Sequence, residues 1–176
     1  MDGKGGRPGW NAMVNVLGSL YRMQVKNIVA KVVSGLGYHA GRGSNWYRDF
    51  PDLIHVVGLQ KSRWGGANYL ESGIWLKTFG PDELPNYYEC HVRLRLSVNS
   101  GLDVGDIDSA LQGEDLWKMD SDERMRILTT ALKRAEAAFL NKARTLNELQ
   151  KFLGGRHNLN LAIDRRVKEL FGTDGS

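Results

Sequence analysis

The polar chemistry of this chain gathers in two short runs and one outlying arginine. Gln60, Lys61, Ser62, Arg63 and Trp64 form the first run, His91, Arg93 and Arg95 the second, and Arg48 stands apart. Guanidinium forks and aromatic planes suit a carboxylate, a phosphate or the acidic patch of a protein partner. A competing reading has Arg63 and Arg93 pairing with Asp49, Asp52 or Glu71 across a sheet and only holding its register. The stretch Leu-Gln-Lys-Ser-Arg-Trp-Gly-Gly, from Leu59 to Gly66, is costly to place unless its polar groups find partners.

Other chemistries are weaker in the sequence. His39, His55, His91 and His157 show no helical three- or four-residue spacing, so no metal site is expected, although His55 and His91 sit on neighbouring strand-like runs and would have to meet for one. Asp106, Asp108, Glu114 and Asp115 lack the central glycine and spaced oxygens of a calcium loop and read as a solvated acidic segment. Ser62 follows Lys61, but neighbours on a strand project to opposite faces. Cys90 falls on the apolar parity of its run and reads as a small buried hydrophobe. Phosphate-loop, dinucleotide and nucleophile-elbow motifs are missing. No catalytic residue, metal or cofactor is therefore assigned, and the enzyme question stays open.

The elements that must position these residues follow from periodicity. Apolar residues from Met13 to Val33 recur at helical spacing and stop at Gly35 and Gly37. Strands are expected over Trp46–Phe50, Leu53–Gln60, Asn68–Phe79 and Glu89–Val98, the last with Cys90, Val92, Leu94 and Leu96 on one face and His91, Arg93 and Arg95 on the other. The run 80–88 reads as a surface loop. Ser121 reads as the cap of a helix carrying Ile127, Leu128, Leu132 and Phe139, Thr145 as the cap of a shorter one, and Leu159–Phe171 as a last amphipathic helix. The fold class is α+β: an antiparallel sheet of about four strands, covered on one face by an N-terminal helix and the C-terminal helices. Residues 1–10 read as a disordered tail and 11–176 as one domain.

A net charge of +4 falls well short of a dedicated DNA-binding stripe, which ranks nucleic acid below a protein or small-molecule partner. One cysteine excludes an internal disulfide, and no run reaches membrane-spanning length, so a cytoplasmic protein is expected.

Trp46-Tyr47-Arg48, the Leu59–Gly66 run, Gly73-Ile74-Trp75 and Glu89-Cys90-His91-Val92-Arg93-Leu94-Arg95-Leu96 together resemble the bacterial domain of unknown function family numbered 4304, from roughly Met13 to Leu149. That resemblance implies small single-domain proteins without an assigned activity. It marks Gln60, Ser62, Arg63, Trp64, His91 and Arg93 as the positions to test. The expected function is a non-enzymatic binding protein, antitoxin-like or immunity-like, whose basic-aromatic sheet face holds an acidic protein partner. The alternative is an enzyme or sensor that takes an anionic small molecule at the same place. One conflict remains in the strand parity. Lys61 and Arg63 share a face with Leu53 and Val57, so a bulge near Gln60 is predicted if Arg63 and Arg93 are to share a site.

Overall fold

The computed structural model describes residues 23–62, 68–80, 84–96, 104–112, 119–155 and 158–172. The expected tail, Arg63, Trp64 and His157 lie outside these described residues. Among the described residues six strands form one antiparallel sheet in chain order: β1 (His39–Ala40), β2 (Asn45–Asp49), β3 (Leu53–Lys61), β4 (Asn68–Leu76), β5 (Val92–Arg95) and β6 (Leu161–Ile163). The α+β class is as expected, but the sheet has six strands rather than about four. The two additions are short edge strands. β6 occupies the start of the segment read from sequence as one helix, Leu159–Phe171, and that helix begins only after Asp164, whose carboxylate caps it.

Helices are α1, described over residues 23–35, α2 (Val104–Leu111), α3 (Ser121–Ala138), α4 (Leu146–Gly154) and α5 (Arg165–Phe171). The cap of α3 is Asp120 rather than Ser121, its carboxylate accepting from the Glu123 amide at 2.8 Å. Thr145 and Glu148 form a reciprocal capping box at α4.

Register decides which side chains meet. The β3–β4 pairing runs unbroken from Leu53↔Leu76 to Lys61↔Asn68. No bulge interrupts it near Gln60, contrary to the sequence expectation. On the inner face Leu53, Val57, Leu70, Ile74, Leu76, Val92 and Leu94 pack against Val25, Val29 and Val33 of α1, Leu128 and Leu132 of α3, Leu149 of α4 and Val167 of α5. Each fully buried aliphatic side chain contributes about 1.5–3 kcal/mol, so this layer dominates the core.

The outer face is not bare. Tyr47, Ile54, Val56 and Cys90 form a second apolar cluster there, with Trp75 and Tyr87 against it. A 3-10 turn, Tyr87–Glu89, lies over it, so helical segments flank both sides of the sheet. Two glycines make room for that turn. A Cβ at Gly58 would stand 2.7 Å from Tyr87 Cδ1, and one at Gly73 would stand 2.6 Å from Cys90 Cβ. Cys90 is thus buried as expected but on the opposite face from Val92 and Leu94. Its residue lies before β5, separated by a bend at His91, and strand parity does not carry through that bend.

Candidate functional site

The alternation of β5 sends Arg93 and Arg95 to the outer face, opposite Gly73 and Glu71 of β4. Arg95 is committed within the fold: its Nε donates to Glu71 Oε1 at 2.8 Å and its guanidinium stands 4.4 Å over the Tyr69 ring. Burial pushes the Glu71 carboxyl up from the usual carboxylate range, and Arg95 pulls it back.

Arg93 is placed differently. It is exposed, its Nη1 donates to the Tyr88 carbonyl at 3.2 Å, and among the described residues no carboxylate lies within ion-pair distance of it. Arg93 and Tyr87 line both of two adjoining solvent-open hollows. The first, about 510 Å³, extends toward Asn45, Gln60 and Tyr88. The second, about 400 Å³, extends toward Arg95, Asn160 and Ala162. Together they make a groove across the outer face from the β2 end to β6.

The groove wall is fixed by local chemistry. The Asn86 amide and side chain both donate to Glu89 Oε2, at 2.6 and 3.0 Å, which closes the turn that presents Tyr87 and Tyr88. The Tyr87 hydroxyl donates to Gln60 Oε1, and the two tyrosine rings meet edge-on at 5.8 Å. Gln60 therefore belongs to the site through Tyr87. Lys61, one residue on, lies in the row shared with Leu59 and Val57, and Ser62 follows the end of the strand, half-buried.

Arg48 and His91 do not join the groove. Arg48 pairs across β2–β3 with His55, in the row that faces the helices. Its Nη2 donates to Glu136 Oε2 of α3 at 2.7 Å and to His55 Nδ1 at 3.3 Å, while the Tyr38 hydroxyl donates to Glu136 Oε1 at 2.5 Å. His55 Nε2 completes the cluster by donating to the Ala143 carbonyl at 2.8 Å, and burial holds its pKa down at about 3. His91 is buried between the rings of Trp75 and Phe79, at 4.3 and 5.0 Å, and its Nδ1 accepts from the Leu76 amide. Burial, helped by the Arg166 charge, holds its pKa at about 4. The two histidines thus have separate neighbours, His55 among Arg48, Phe50 and Ala143 and His91 between Trp75 and Phe79. Among the described residues no group of three or more histidines, cysteines and carboxylates is placed to hold a metal.

Sequence reasoning missed Tyr87, Tyr88, Asn45 and Asn160. The signal for the first two was present: Asn86 followed three residues later by Glu89 is a capping-box spacing that crosses from the run read as loop, 80–88, into the strand expected from Glu89.

Comparison with known families gives one match, over residues 29–142, to the model described as Domain of unknown function (DUF4304). No curated protein and no solved structure matches the chain. No helix among the described residues is long and apolar enough to cross a membrane.

Proposed function

We propose, for a chain that belongs to the DUF4304 family, that it is a non-enzymatic binding protein whose outer-face groove grips an acidic segment of a protein partner through Arg93. One observation carries this reading. Arg48 and Arg95 each already hold a buried glutamate, whereas Arg93 stands exposed in a hollow it shares with Tyr87 and Tyr88, with only a carbonyl as partner among the described residues. A carboxylate arriving there gains a charge-assisted hydrogen bond, worth about 1.5–3 kcal/mol where water is partly excluded. The tyrosines supply rigid, amphipathic contact area beside it.

The groove offers little for catalysis. Its carboxylate, Glu71, is tied to Arg95. The Cys90 thiol is buried in the outer cluster, and burial pushes its pKa far up, away from the thiolate a nucleophile requires. An antitoxin-like or immunity-like protein would use such a face to cover an acidic surface. The 510 Å³ hollow also suits a small carboxylated or phosphorylated molecule, and this is the second reading.

Fluorescence anisotropy with labelled hexaglutamate tests both. The peptide should bind the wild type, about tenfold more weakly in Arg93→Ala and more weakly with added salt, and should not be displaced by equimolar glutarate. Displacement by glutarate favours the small-molecule reading. Equal affinity of wild type and Arg93→Ala rejects the site.

A further inference from the structure

Among the described residues the sheet ends on β6, and the groove reaches that strand at Ala162. Among the described residues no strand pairs with its far side. The Asp164 amide donates to the His91 carbonyl at 2.7 Å. Because backbone groups of successive strand residues alternate in direction, Ala162 then faces β5, opposite Arg93, and the N–H and C=O groups of Leu161 and Ile163 face outward. Among the described residues these outward groups have no hydrogen-bond partner.

Natural sheets blunt such edges with short strands or with lysine, proline or a bulge; β6 is short, three residues, so it offers a partner two outward-facing residues. The sequence Leu161-Ala162-Ile163 carries no lysine or proline. The 400 Å³ hollow reaches this edge, with Arg93 and Arg95 on one side and Asn160 and Ala162 on the other. Ala162 is exposed and carries only a methyl group between Arg93 and whatever lies beyond β6. A seventh strand would lie two strand spacings from β5, about 9.6 Å, a gap that a glutamate and an arginine reaching toward each other can close.

We propose that the partner docks by strand addition: an extended acidic segment pairs antiparallel with the outer edge of β6 and places a carboxylate over Ala162 onto Arg93. This rests on the reading of the outer face as the acidic-partner site. The register makes the proposal specific. Leu161 and Ile163 belong to the inner-face row, so the partner residues that exchange hydrogen bonds with them also point inward, and the acidic residues occupy the alternate, outer row. Apolar residues of the segment thus supply the backbone bonds while acidic ones supply the charge.

The probe is a labelled octapeptide of alternating glutamate and valine, prepared also with every valine N-methylated and with every glutamate N-methylated. The variants are Leu161→Pro, which removes an outward N–H at a position where an edge strand tolerates proline, Leu161→Ala as its side-chain control, and Arg93→Ala. Thermal melting shows that each is folded. The expected result is binding by the parent and glutamate-methylated peptides and at least tenfold weaker binding by the valine-methylated one. Leu161→Pro and Arg93→Ala each lose at least tenfold, while Leu161→Ala stays within about threefold. If both methylated peptides bind alike and Arg93→Ala alone weakens them, the outer-face site stands and strand addition is overturned. If backbone methylation matters but Arg93→Ala does not, the carboxylate anchor is overturned. No binding of any peptide to the wild type overturns both readings.

Discussion

Replacing Glu136 with leucine should unmask how much of the fold rests on the Tyr38–Glu136–Arg48–His55 cluster. The Glu136 side chain is 5% exposed and that of Arg48 19%. Removing one partner of a buried ion pair costs about 3–5 kcal/mol, because the other charge is left uncompensated. Arg48 keeps its bonds to Leu36 and His55 and its contact with the Tyr38 ring, and water reaches part of it, which places the cost near the lower bound, about 3 kcal/mol. The Tyr38 hydroxyl loses its acceptor as well, adding about 1 kcal/mol. A loss of about 4 kcal/mol is a large share of a typical stability of about 5–15 kcal/mol. The double variant Arg48→Met with Glu136→Leu removes both charges together, which is close to neutral by itself, and should lose only about 1–2 kcal/mol through the unpaired Tyr38 hydroxyl and His55 Nδ1. Urea unfolding at pH 7, followed by far-ultraviolet circular dichroism, measures the cycle. A Glu136→Leu loss below about 1 kcal/mol, or a double variant equal to the sum of the singles, would refute the assignment of Arg48 to architecture.

Three further outcomes follow from burial. His55 and His91 have folded pKa values near 3 and 4, below the unfolded value of about 6.5, so their contribution is complete above pH 6.5 and is lost as pH falls toward those values. Unfolding free energy should drop by about 3–4 kcal/mol between pH 7 and pH 5, and His91→Leu should roughly halve the drop; a flat profile over that range contradicts the buried neutral state of both rings. Gly73→Ala should cost about 1–3 kcal/mol by driving its new methyl into Cys90, and a melting temperature matching the wild type would mean that the Tyr87–Glu89 turn sits more loosely on the sheet than its contacts indicate. Cys90 should react with a thiol reagent only at the rate of unfolding, since it is buried and its thiol is held protonated; fast native-state labelling would place it outside the core.

The sequence disclosed those features that strand and helix periods encode directly. Val92 and Leu94 alternate with Arg93 and Arg95, and that pattern alone put the basic pair on the outer face. The apolar spacing of Ile28, Val29, Val32 and Val33 likewise marked the helix covering the inner face. Parity failed where the chain leaves the strand. Strand parity puts Cys90 with Val92, but the bend at His91 turns it to the opposite face. The role of Arg48 depends on Glu136, 88 residues away, and no local pattern encodes that pairing. β6 has three residues, too few for alternation to separate it from the helix that follows. Lys61 could join Gln60 in one site only through the bulge expected near Gln60; the unbroken register sends the two to opposite faces, and Gln60 is the one bonded to Tyr87.

The most direct test of the groove is a two-dimensional nitrogen–proton NMR titration of the isotopically labelled protein with hexaglutamate. The account predicts that shift changes centre on the amides of Tyr87, Tyr88 and Arg93, extend to Gln60 and Asn160, and disappear in Arg93→Ala. Changes centred instead on Lys142 and Lys151, which line a separate basic hollow between α3 and α4, and surviving in Arg93→Ala, would contradict it.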